Sequence, residues 1–116
     1  MKIMNCTPHE FTFEDFITKS IISIPPSGTI IRTRSNNELE RILELPSRRH
    51  IKINTTRDIS ISNLPDEMDD VILVCSAVTA VDIKSVYPER NDIYSPDEQI
   101  RTHKGKIIGC KALTHW

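Results

Sequence analysis

Apolar and polar residues alternate through the first third of the chain. Phe11 and Phe13, for example, are separated by a polar neighbour, which is the period-two pattern of a half-buried strand. This part of the sequence predicts four strands, over residues 2–6, 10–13, 16–24 and 29–33. The Pro-Pro-Ser-Gly segment at 25–28 lies between two β-branched runs, so we expect a turn between the last two strands.

The middle of the chain predicts a helix followed by strands. Leu39, Ile42 and Leu43 recur at the spacing of one helical face, so residues 36–45 are expected to form a short helix that ends at Pro46. Alternation returns over residues 48–62, where isoleucines at 51 and 53 and at 59 and 61 predict two strands around residues 54–58.

The second half contains the strongest single element. Residues 71–75 are apolar throughout, which is typical of a strand covered on both faces. Ser76 is a good N-cap for a short helix over 77–87, and Pro88 would end it. Residues 89–102 are expected to form a polar, ordered loop, and 107–113 a last strand. We therefore predict an α+β fold, a β-rich single domain over residues 1–116 with seven to eight mostly antiparallel strands and one or two short helices.

Composition narrows the class of protein. The chain has 116 residues, a formal net charge of −1 and no strongly basic half, which argues against general nucleic-acid binding. No apolar run approaches the ~18 residues of a membrane helix, and the N-terminus lacks the apolar core of a signal peptide. Three widely spaced cysteines are expected to be buried free thiols, as in a cytoplasmic protein. No metal or cofactor motif is present.

Polar residues that are suited to binding occur first at the end of the first strand. Asn5, Thr7 and His9 follow that strand, so a hydroxyl and an imidazole would be presented together. The alternative is a turn in which Thr7 bonds to the backbone and His9 is a surface residue. No second histidine or carboxylate lies at metal-ligand spacing.

Ser76 and Arg32 are further candidates. Ser76 ends a buried strand and opens a helix, where free N–H groups and the helix dipole favour an anion; the alternative is a simple N-cap. Its flanking residues match neither a nucleophile elbow nor a P-loop. Arg32 and Arg34 share one strand face, where they would either meet a phosphate or be solvated.

A third polar group lies in the segment from residue 89 to residue 101. Arg90 and Arg101 are suited to bidentate phosphate binding, and Asp92 to a sugar hydroxyl. The alternative is an arginine–aspartate network that stiffens a long connection. The sequence leaves both interpretations open.

The motifs as a set resemble a family of small, largely uncharacterised proteins of bacteriophages and mobile elements. Its members carry an Asn-Xaa-Thr-Pro-His start, a Pro-Ser-Gly turn followed by an arginine, a buried strand ending in Val-Ser-Ala, then Arg-Xaa-Asp, Pro-Asp, and a final Arg…Gly-Xaa-Ile-Ile-Gly. The resemblance covers about two-thirds of this chain, and residues 36–62 depart from it. It implies a phage setting and picks out these candidate ligand-binding residues: Asn5, Thr7, His9, Arg32, Ser76, Arg90, Asp92 and Arg101.

From this set we expect a phage-encoded protein that binds and sequesters a nucleotide-type ligand, such as a host immune signalling nucleotide. It would act as a homo-oligomer in the cytoplasm of the bacterial host. Two alternatives stay open. One is an enzyme acting on a nucleotide or nucleotide-sugar, with His9 as general acid/base and Asp92 as its partner. The other is an inhibitor that binds a host protein, which an exposed apolar patch would favour.

Overall fold

Eight strands and one helix make up the protein, and the structure, a computed structural model, describes residues 1–116. The elements are β1 (Lys2–Asn5), β2 (Phe11–Glu14), β3 (Ile21–Ile24), β4 (Arg32–Glu44), β5 (His50–Ser62), β6 (Val71–Val74), α1 (Ala77–Val86), β7 (Ile93–Arg101) and β8 (Ile107–His115). The expected β-rich character is confirmed, with eight strands and one helix where seven to eight strands and one or two helices were expected, whereas the α+β label fits this strand-dominated fold only approximately.

Six of the strands form one mixed sheet in the order β1-β6-β7-β8-β2-β3, and β4 pairs only with β5. The β1–β6, β6–β7 and β2–β8 pairs are parallel, and the other three pairs are antiparallel. The expectation of a mostly antiparallel arrangement therefore holds only in part. The parallel β6–β7 pair exists because α1 crosses over between these strands, as parallel neighbours require.

The core is centred on β6, as the apolar run at 71–75 predicts. Leu73, Ile83 and Ile93 are completely buried where β6, α1 and β7 meet. Each such side chain contributes about 1.5–3 kcal/mol through removal from water. Only 14 of the 116 residues are buried, so this core is small for the length of the chain. The structure has no helix that is long and apolar enough to span a membrane.

Residues 32–62 form a long two-stranded hairpin, which we call the arm. The helix expected over 36–45 is wrong, because this segment belongs to β4. The cause is a β-bulge between Leu39 and Arg41: Leu39 pairs with Asn54 and Ile42 with Lys52, so Leu39 and Ile42 lie on one face of the ribbon. An extra residue in a strand thus reproduces the i, i+3 spacing of a helix.

Four other boundaries differ from those the sequence predicts. Of the strand expected over 29–33, only the last two residues are in a strand, as the start of β4. The expected pair of strands over 48–62 is the single strand β5, with Asp58 at positive φ where the register shifts. The polar segment 89–102 is largely β7 and not a loop. Residues 16–20 form a turn and not the start of β3, because the Asp15 carboxylate accepts hydrogen bonds from the N–H groups of Ile17 and Thr18, both at 2.8 Å.

Candidate functional site

A cavity of about 580 Å³ lies beside the C-terminal ends of β1 and β6. These strands run parallel, with Asn5 opposite Val74, so the segments that follow them leave the sheet at the same edge. The structure thereby brings four of the sequence-predicted residues to the wall of one cavity. We call them the cavity group: Thr7, His9, Arg32 and Ser76.

Asn5 organises the turn that follows β1. It is 1% exposed, its side-chain N–H group donates to the carbonyl oxygens of His9 (2.7 Å) and Ile24 (3.2 Å), and its Oδ1 accepts from the Thr7 hydroxyl (2.7 Å) and N–H (3.1 Å). These bonds use the hydrogen-bonding capacity of the amide, and Asn5 does not line the cavity. Asn5 and Thr7 therefore shape the turn, and His9 is the exposed group that the turn presents.

The Pro-Ser-Gly turn delivers Arg32 to the same cavity. The Ser27 N–H and hydroxyl both donate to the carbonyl oxygen of Asn5, at 2.9 and 2.7 Å. The N–H of Ile31 donates to the carbonyl oxygen of Cys6 at 3.1 Å. Gly28 has φ +93°, a conformation that favours glycine. The chain is thus held along the free edge of β1 and enters the arm at Arg32, whose guanidinium has no hydrogen bond or ion pair within the chain.

Ser76 caps α1 at the cavity wall. Its hydroxyl oxygen accepts from the N–H of Thr79 at 3.2 Å and lies 2.9 Å from the Thr79 hydroxyl, which also lines the cavity. The N-cap expectation is confirmed. The first N–H groups of the ten-residue helix have no partner within the helix, so the positive end of its dipole lies at this wall.

Three cysteine thiols line the deeper wall of the cavity: Cys6, Cys75 and Cys110. Burial raises the pKa of the Cys6 thiol to about 11 and that of Cys75 to about 12, and it also raises the pKa of Cys110. At neutral pH these thiols are protonated, so they act as small apolar wall atoms and not as nucleophiles. The expectation of buried free thiols is confirmed.

Close approach of two strands forms the far side of the cavity. A Cβ at Gly109 would lie 2.9 Å from the carbonyl oxygen of Thr12, so β8 and β2 can meet here only because residue 109 is glycine. Phe11, Ile107 and Ile108 flank this contact and give that side an apolar surface. The cavity is therefore polar at Arg32 and the helix end and apolar at β8.

Arg90, Asp92 and Arg101 do not line the cavity. Arg90 and Asp92 form a bidentate ion pair, with N···O distances of 2.9 and 2.8 Å, and Arg90 also donates to the Pro65 carbonyl oxygen at 2.9 Å. The hydrogen bonds that Arg90 donates to Asp92 raise the pKa of Arg90. We call these two residues the buried pair. Arg101 is exposed and bonds to Gly105 and Gln99. The structure thus places these three candidate ligand-binding residues away from the cavity group.

Several cavity residues were missed in the sequence. Gln99 reaches the cavity from β7, and Thr79, Glu10 and Phe11 line other parts of it. Thr79 carries a usable signal, since it lies three residues after a predicted N-cap. Gln99 carries none, because its segment reads as a loop until β8 pairs with it.

Comparison with models of known families, with curated proteins and with solved structures gave no match. No group of three or more histidine, cysteine, aspartate and glutamate residues is placed to hold a metal ion.

Proposed function

We propose that the protein binds a small anionic ligand of the nucleotide type in this cavity. The observation that carries the proposal is the convergence of Arg32, His9 and the N-terminus of α1 on one cavity of about 580 Å³. This volume is within the range of small-molecule sites, roughly 300–1,000 Å³. An unpaired guanidinium next to a helix N-terminus favours a phosphate group.

The rest of the cavity suits the remaining parts of a nucleotide. The apolar side formed by Phe11, Ile107 and Ile108 offers a surface on which a base can pack. The Glu10 carboxylate, which also lines the cavity, is an acceptor for ribose hydroxyls. A purely inorganic anion would leave these two features unused, so they favour a nucleotide over free phosphate.

Capture without turnover is the form of this function that the side chains favour. The wall thiols are protonated at neutral pH, because burial raises their pKa values. The enzyme alternative paired His9 with Asp92, but both oxygens of Asp92 accept from Arg90 and Asp92 does not line the cavity. His9 remains the only imidazole at the cavity, where it supplies a donor or positive charge to a ligand.

We further propose the setting that the resemblance implies: a phage-encoded protein that acts in the cytoplasm of the bacterial host and sequesters a host immune signalling nucleotide. Its support is the set of sequence motifs, above all the turn at residues 5–9 and the Pro-Ser-Gly segment, which this structure uses to build the cavity. A homo-oligomer is part of the same proposal.

A binding panel tests this function. The purified protein is incubated with nucleotides, cyclic nucleotides and ADP-ribose derivatives, then denatured by heat, and the released compounds are identified by mass spectrometry. We expect one class to be retained and released unchanged. A converted product would replace sequestration with the enzyme alternative, and retention of no member would overturn the proposal.

Matched arginine variants locate the site in the same experiment. We expect Arg32→Ala to weaken binding by about 10- to 100-fold, since a charge-assisted hydrogen bond contributes ~1.5–3 kcal/mol. Arg101→Ala removes an exposed arginine outside the cavity and should leave the affinity unchanged. Equal losses in both variants would mean general charge attraction and not a site.

A protein-binding role is a second candidate, favoured by a specific observation. Large apolar side chains are exposed along the arm and on the β2–β3 turn, for example Ile42 at 60% and Phe16 at 86% exposure. Exposed apolar surface of this kind marks contact sites for other proteins.

A further inference from the structure

The isolated chain has far more surface than a compact protein of its size. Its accessible surface is 8421 Å², whereas a compact monomer of 13.3 kDa exposes about 6,500 Å². Its radius of gyration is 18.1 Å against an expected ~13 Å. The surplus of roughly 1,900 Å² exceeds the ~800 Å² that each partner buries in a standard interface.

The arm accounts for this extended shape. Its two strands of 13 residues project over about 43 Å, and an isolated two-stranded hairpin of this kind is only marginally stable in water. At its outer end both faces of the ribbon carry exposed apolar side chains. Leu43 lies opposite Ile51 on one face, and Leu39 and Ile42 lie on the other, opposite Asn54 and Lys52. A partner that covers these side chains would remove their apolar surface from water.

The β2–β3 hairpin offers an apolar surface of the opposite charge. Phe16, Ile17 and Ile21 are 86%, 85% and 64% exposed, and β3 is an edge strand of the six-stranded sheet with a free hydrogen-bonding side. Residues 10–24 carry three acidic and one basic residue, whereas the outer arm, residues 39–53, carries four basic and two acidic residues.

The charge balance of the whole chain follows the same division. The arm, residues 32–62, has seven basic and four acidic residues, and the rest of the chain has eight basic and twelve acidic residues. The arms of two chains would therefore repel each other, as would the remaining parts of two chains. The arm of one chain and the remaining part of another would attract each other. This pattern favours a contact between unlike surfaces of two identical chains.

We propose that the outer end of the arm packs on the β2–β3 hairpin of a second copy of this chain. Reciprocal exchange of two arms gives a closed twofold dimer in which each apolar ribbon is covered and each exposed edge strand meets a partner. The proposal is independent of the ligand, because neither the outer residues of the arm nor Phe16, Ile17 and Ile21 on the hairpin line the cavity.

Self-association of paired variants tests this contact. The molar mass is measured by sedimentation equilibrium over a range of concentrations, for the wild type, for Ile42→Thr/Ile51→Thr on the arm, and for Phe16→Ser/Ile21→Thr on the hairpin. We expect a wild-type dimer, and a dissociation constant that rises by about tenfold or more in each variant. The matched control is Val78→Thr, at a valine on α1 that is 74% exposed, and it should not change the dissociation constant.

Mixing the two variants distinguishes the arm–hairpin contact from an arm–arm contact. A mixed dimer contains one intact arm on one intact hairpin, so we expect it to form more readily than either variant dimer alone. Failure of this complementation would overturn the proposal, as would a wild type that stays monomeric. Association that disappears after nuclease treatment would assign the basic arm to nucleic acid instead and would also overturn it.

Lys52→Glu provides a test that does not depend on packing at the arm. Lys52 lies opposite Ile42 at the outer end of the arm, where its positive charge would face the acidic hairpin. Reversal of that charge should weaken the dimer, and high salt should reduce this loss of affinity. Unchanged self-association in Lys52→Glu would contradict the charge complementarity on which the proposal rests.

Discussion

The cavity group and the buried pair each contain an arginine, yet the fold uses the two arginines differently. In the buried pair, both Asp92 oxygens and the facing nitrogens of Arg90 bond within the chain, and the two side chains are 6% and 12% exposed. In the cavity group, the Arg32 guanidinium bonds to nothing in the chain and lines a cavity. An arginine whose donors are already used stabilises the fold, whereas one whose donors remain free can bind a ligand.

Removal of Arg90 should have the largest effect on stability. We expect Arg90→Ala to lower the free energy of unfolding by about 3–5 kcal/mol, because it leaves the buried Asp92 carboxylate without its partner. Denaturant unfolding followed by circular dichroism measures this. Arg101→Ala, at an exposed arginine, should change it by less than ~0.5 kcal/mol. A loss below ~1 kcal/mol in Arg90→Ala would abolish the contrast between the two groups.

High pH should destabilise the protein through the wall thiols. The folded-state pKa of Cys6 is raised to about 11 from 9.0, so its contribution is complete below pH ~9 and is lost as the pH rises toward 11. For Cys6 alone the loss amounts to about 2–3 kcal/mol. Unfolding curves between pH 8 and 11 measure it, and Cys6→Ala should flatten this dependence. Parallel curves for both proteins would contradict a buried, protonated thiol.

Substitution at Ser76 should have the smallest effect on stability. Ser76→Gly keeps a tolerated N-cap and should cost only a few tenths of a kcal/mol, whereas Ser76→Ala should cost about 1 kcal/mol. If the hydroxyl also contacts the ligand, Ser76→Gly loses binding in the nucleotide panel while it remains folded. Full binding in that variant would leave Ser76 with the N-cap role alone.

Local patterns predicted those parts of the fold in which neighbouring residues decide the structure. The buried strand at 71–75 and the N-cap at Ser76 depend on interactions within a few residues, and both are present. The turn expected at 25–28 is instead a bend at Gly28 whose position depends on a distant contact, because Ser27 donates to the carbonyl oxygen of Asn5. The helix at 36–45 failed because a bulge in a paired strand imitates helical spacing, and only the partner strand shows which applies.

In the candidate site, too, some features follow from local sequence patterns and others only from contacts between distant segments. The amino-acid sequence by itself determined that the hydroxyl and imidazole groups of Thr7, His9 and Ser76 follow strand ends, since each lies next to a strong local signal. Only the tertiary structure decided which of them meet: parallel pairing of β1 and β6 brings Thr7 and Ser76 to one edge, and the bonds of Ser27 to Asn5 lead Arg32 there. It also directed Arg90 to Asp92 and away from the cavity, because contacts between distant segments depend on strand order, which no local pattern encodes.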